Sequence, residues 1–199
     1  MDEKTTLHDY LRQARAGLAG KIDGLGEYDA HRPLTPTGTN LLGLIKHVAS
    51  VQLEYLGVVF GRPSGVAAPW DLPGGLEDDD MWARGDETVA DVLELHRLSA
   101  EHADATIEAL PLDAVGEVPW WEEGQRSVTL HRILVHLIAE TARHAGHADI
   151  LREQIDGEVG RRPGDGNIPG RTTVEWADYR ARIEEAAVEA GRRDFRDTP

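Results

Sequence analysis

Three histidines and a glutamate recur along one stretch of the chain, SVTLHRILVHLIAETARHAGHADILREQIDG at 127–157. At about 100° per residue, His136, Glu140, His144 and His147 fall within a helical sector roughly 80° wide. Leu130, Ile133, Leu137 and Leu151 share that side, so the polar stripe faces the protein interior. Buried without partners, each group would cost roughly several kcal/mol of desolvation. One metal ion would partner all of them at once. Glu140 and His144 stand one turn apart, as ligand pairs in helical bundles do. His136 and His147 are nearly as well placed and could be further ligands, donors to the ligands or a general base. Without a metal, the same groups would have to pair with one another, with Asp149 and with Arg143 in a closed polar network.

A third ligand must come from another element. His47 flanks the apolar face of LLGLIKHVASVQLEYLGVVFG, one turn after Leu44 and one before Val51. A set of His47, Glu140 and His144 would leave a coordination position open, the pattern of a catalytic rather than a closed structural site. Imidazole and carboxylate suit zinc, nickel, iron or manganese, and ligand type does not choose among them. The chain has no cysteine, which excludes disulfides, thiolate catalysis and thiolate-held zinc. No serine stands in a strand–turn–helix context, and no phosphate-binding glycine motif occurs; RPGDGNIPG at 162–170 lacks the lysine and the helix that would follow.

Composition narrows the partners. A formal net charge of −15 repels phosphate backbones, so no nucleic-acid partner is expected. No apolar run is long enough to span a bilayer and the N-terminus has no leader architecture, so a cytoplasmic protein without a membrane partner is expected. At 199 residues the chain fits a single domain over 1–199.

Helical periodicity marks the elements that must position the candidate ligands. They are 5–22, beginning with a threonine cap; 41–61, capped by Thr39 or Asn40; and 88–110, opened by Thr88. The long helix 127–157 is then capped by Ser127, and a last helix over 173–193 carries Trp176, Tyr179, Ile183 and Val188. Relative to Leu95 and Leu98, His96 and His102 read as surface residues. Long Gly/Pro-rich loops cover 23–40, 62–86, 111–126 and 158–171, and the tail from 194 is expected to fray. Trp70, Trp82, Trp120 and Trp121 lie in loops, where they either plug a bundle end or an oligomer contact or line an apolar pocket. If the helices alternate, the 62–86 and 111–126 loops sit at opposite ends; a crossover topology would change that. With no strand-like alternation, the fold class is all-α: a four-helix bundle, core 5–157, with long crossover loops and an additional C-terminal helix.

The runs GLIKHVASVQLEYLG and HLIAETARHAGHADILRE together resemble the DinB-like (damage-inducible) superfamily of four-helix metal-binding proteins. The likeness is nearest to its actinobacterial "mini-circle protein" branch and more distant to mycothiol-dependent maleylpyruvate isomerase, and it runs from the first helix to about residue 157. It implies that the metal ligands are His47, position 140 and His144, with Glu140 standing where many members have histidine. It further implies a divalent metal, zinc first, and a low-molecular-weight thiol such as mycothiol used by a transferase or isomerase. His136, His147 or Arg143 would then handle protons or an acidic substrate group, and the protein would be a homodimer. A non-catalytic bundle that binds a metal or a small molecule is the alternative.

Overall fold

Asp2, Asn40, Thr88 and Thr129 each turn a side-chain oxygen onto the N–H three residues on, and each opens a long helix. These are α1 (Glu3–Ala19), α3 (Leu41–Leu56), α4 (Val89–Ala109) and α5 (Leu130–Asp156) in a computed structural model. The structure describes residues 2–76, 78–161, 165, 166 and 168–194. Parts of the 158–171 loop, at 162–164 and 167, and the tail 195–199 lie outside the described residues. Thr88 forms a full capping box with Asp91, and Gly157 closes α5 at φ 79° in the left-handed region that suits glycine.

The cross-bundle pairs fix the helix directions. Glu3 meets His131 and Lys21 meets Asp149, so α1 and α5 run parallel. His8 and Arg12 reach Asp104 while Lys4 reaches the Leu110 carbonyl, so α1 and α4 are antiparallel. Gln52 meets Ser99 and Lys46 meets Glu87, so α3 and α4 are parallel. Two parallel neighbours joined in sequence need a crossover, and residues 57–88 supply it along the length of the bundle. The all-α bundle with crossover connections is therefore what the structure contains.

Four local readings need correction. A short helix, α2 (Glu27–His31), interrupts the 23–40 loop. A hairpin of β1 (Val115–Glu117) and β2 (Ser127–Thr129), in register Gly116 to Val128, leads into α5, so Thr129 rather than Ser127 is its cap. Three-residue strands are too short to show alternation in sequence. His96 is buried, and His102 is half-buried with Nε2 donating to the Arg62 carbonyl at 2.7 Å. The inward stripe of α4 is Val92, His96, Ser99, Ala103 and Ile107, whereas Leu98 points to water.

The interior is two apolar clusters with a polar layer between them. One gathers Leu11, Leu56, Ile107, Ile133 and Leu137; the other gathers Leu18, Ile45, Val48, Val92 and Leu151. Between them in each helix fall Arg15, Gln52, His96 with Ser99, and Thr141 with His144, all buried. Arg15 donates to Asp104 at 2.5 Å and to Gln52 at 3.1 Å, and Gln52 donates to Ser99 at 2.7 Å.

Residues 166–199 form a second compact unit. It contains α6 (Thr173–Asp194), where the Trp176 and Tyr179 rings lie 5.8 Å apart with the Arg171 guanidinium 4.5 Å from each. Among the described residues no helix is long and apolar enough to cross a membrane.

Candidate metal centre

The His47 and His144 rings meet edge to face at 4.8 Å, and the Tyr55 and His136 rings lie tilted at 4.8 Å, so α3 runs antiparallel to α5. Along this seam His47, Glu140 and His144 bring one ligand atom each to within 4.8 Å of one another. Glu140 Oε1 accepts from His144 Nε2 at 2.8 Å and lies 3.6 Å from His47 Nε2. The donors bound to one tetrahedral ion at ~2.0–2.2 Å stand roughly 3.4 Å apart. The separations of Glu140 Oε1 from the two imidazoles, 2.8 and 3.6 Å, straddle that value, and the donors are all nitrogen or oxygen, so the set fits a divalent ion of the zinc, nickel, iron or manganese group.

Asp80, in the crossover, was not singled out by sequence reasoning. Its carboxylate is buried, and Oδ2 accepts the Nδ1–H of His47 at 2.6 Å. That bond leaves the lone pair of His47 on Nε2, the atom facing Glu140, as the outer partners of metal-bound imidazoles do. Burial pulls the His47 pKa down, but the Asp80 hydrogen bond and charge, with Glu140 behind, outweigh it and hold the ring above its ordinary value. At His144 burial wins, helped by the neighbouring His47 and His147, and the pKa falls despite the Glu140 hydrogen bond. Burial raises the Glu140 carboxyl, yet the two imidazoles keep it below the usual range. The His144 Nδ1 is buried without a hydrogen-bond partner among the described residues.

The other sequence candidates divide. His147 is exposed on α5, with its ring 5.5 Å from that of His144. Arg143 is exposed on the same helix, outside the converging set. His136 is half-buried against Tyr55 and Trp121, the latter at 5.4 Å, and burial first, then Arg132, lowers its pKa against the pull of Glu140. Trp120 and Trp121 both donate their indole N–H to Tyr55 Oη, at 3.3 and 3.0 Å. Both long loops therefore meet the α3–α5 seam: the crossover through Asp80 at His47, and the 111–126 loop through its tryptophans beside His136. No spacing rule marks Asp80, because its partner lies 33 residues away. Tyr55 reads in sequence as one more apolar position of its helix.

A four-helix bundle whose antiparallel α3 and α5 converge two imidazoles and a carboxylate defines a DinB-like helical protein with a candidate metal centre. The chain matches the mycothiol-S-transferase family over residues 6–157, and it belongs to that family. None of the curated proteins matches it.

Proposed function

We propose that the protein is a divalent-metal-dependent enzyme that transfers or isomerises through a small thiol of the mycothiol type. The observation that carries this reading is the convergence of His47, Glu140 and His144 within 4.8 Å in a chain of the mycothiol-S-transferase family. When bound, the ion lowers the thiol pKa and favours the thiolate at neutral pH. The chain's own contribution is positional. Two neutral imidazoles and one carboxylate leave one positive charge on a divalent ion, which suits an anionic sulfur. Asp80 keeps His47 presenting Nε2. The aromatic wall of Tyr55, Trp120, Trp121 and His136 offers a flat seat for the apolar part of an electrophile beside the metal. His136 and His147 are the groups to take up or return a proton, and the exposed Arg143 would draw an acidic substrate group. A cytoplasmic homodimer fits this chemistry, because small thiols stay reduced there.

Elemental analysis of the untagged protein tests the centre. The expected result is about one divalent ion per chain, lost in His47→Ala, Glu140→Ala and His144→Ala and retained in His102→Ala. Consumption of mycothiol with model electrophiles should then require the loaded protein. A metal-free protein after incubation with zinc, nickel, iron and manganese would overturn the proposal, as would equal metal content in all four variants.

A further inference from the structure

One face of α3 carries more than His47. Asn40, Gly43 and His47 stand at i, i+3 and i+7, with Lys46 beside them, and residues 79–87 of the crossover lie across all four. Asn40 Nδ2 donates to the Met81 carbonyl at 3.2 Å, and Lys46 Nζ donates to the Trp82 carbonyl at 3.1 Å and to Glu87 at 2.8 Å. Arg84 pairs with Asp79 at 2.6 Å, and its own N–H donates to Glu87 at 2.7 Å. Ala83 is buried in the same apolar cluster as Leu41 and Ile45.

Gly43 is what allows the approach. A Cβ there would stand 2.5 Å from the Met81 carbonyl carbon, closer still to its oxygen, and 2.9 Å from Asn40 Oδ1. A glycine inside a buried helix costs roughly 0.5–1 kcal/mol relative to alanine. Here that cost is matched by a backbone-to-backbone contact no other residue admits, one residue from Asp80. We infer that Gly43 is a positioning residue: it seats the 79–87 strap so that the buried Asp80 carboxylate meets His47 Nδ1 and fixes which nitrogen faces the candidate metal centre. The inference rests on the metal reading for its consequence, but its geometry stands without an ion.

The test is a double-mutant cycle with Zn²⁺ as the probe, alongside ¹⁵N NMR of the metal-free protein to read the His47 tautomer. Gly43→Ala and Asp80→Ala should each weaken Zn²⁺ binding by about 10–100-fold, the loss typical when the outer partner of a ligating histidine is removed. In the Asp80→Ala background, Gly43→Ala should add less than about twofold, since the partner it positions is already gone. In metal-free protein, at a pH above the raised His47 pKa, His47 should change from the Nδ1–H form to a tautomer mixture in Gly43→Ala. Lys46→Met, which loosens the strap without adding volume to α3, should move both readouts the same way. An unchanged tautomer in both strap variants overturns the inference, and so does an equal affinity loss from Gly43→Ala with or without Asp80. A wild-type protein that binds no Zn²⁺ but whose His47 tautomer depends on Gly43 overturns the metal reading and supports the strap.

Discussion

His96 is the least compensated histidine in the molecule's described interior: its ring is buried in α4 and its Nε2 has no hydrogen-bond partner among the described residues. Burial first, and then the charge of Arg15, pushes its pKa down to about 4. The sign follows from proton uptake. The unfolded chain binds the proton near pH 6.5 and the folded chain only near 4, so stability holds above 6.5 and drains as pH falls between them. Between pH 7.5 and 5 this one group should remove about 2 kcal/mol. Urea unfolding of His96→Leu should therefore show a shallower acid decline than wild type by that amount, with stability at pH 7.5 no lower than about 1 kcal/mol below wild type. Identical declines would place the acid sensitivity elsewhere. Glu140 and His144 are legible at this scale because they repeat the period of one helix, and His47 because it flanks the apolar face of another. His96 reads as a surface residue in sequence because it lies off the side of Leu95 and Leu98, whereas the inward stripe runs through Val92, Ser99 and Ala103.

At the scale of elements, the boundary of α5 shows what local chemistry decides. The sequence reads Ser127 as the cap, but the hairpin places Ser127 in β2 and hands the role to Thr129. Thr129→Ala should cost about 1 kcal/mol by thermal or urea unfolding, while Ser127→Ala, at an exposed strand position, should stay within about 0.5 kcal/mol. The reverse order would mean that the helix begins two residues earlier. The five predicted helices, and Thr88 as the start of one of them, follow from periodicity and caps. The crossover's path does not, because what holds it are single long-range bonds such as Lys46 to the Trp82 carbonyl. Asp80 is invisible for the same reason: an acidic run in a loop looks solvated until a fold buries two of its members, Asp79 against Arg84 and Asp80 against His47.

For the whole molecule, the candidate ligands lie 97 residues apart, at 47 and 144, on helices that already pack. An ion bound to the folded state alone adds stability as RT ln(1 + [M]/Kd), about 2.7 kcal/mol at a hundred times Kd. Zinc should therefore raise the melting temperature of the wild type and leave that of His144→Ala unmoved, and a chelator should reverse the gain. A melting temperature indifferent to every divalent ion would show that the folded state holds none. The acidic surface, net −15, should meanwhile keep the protein off heparin-like and nucleic-acid matrices at low salt.

The polar layer at mid-height does something the apolar clusters on either side cannot. Leucine and isoleucine faces tolerate sliding, since one turn along a helix presents another branched hydrocarbon of similar volume. A slide of α4 by one turn would carry the Ser99 hydroxyl away from Gln52 and from the Ala49 carbonyl, and would strip the Arg15 guanidinium of Asp104. Each orphaned group costs about 1–3 kcal/mol, and the stranded charge costs more. The layer thus works as a ruler for α1, α3 and α4, setting their vertical alignment and, through α3, the height at which His47 is held.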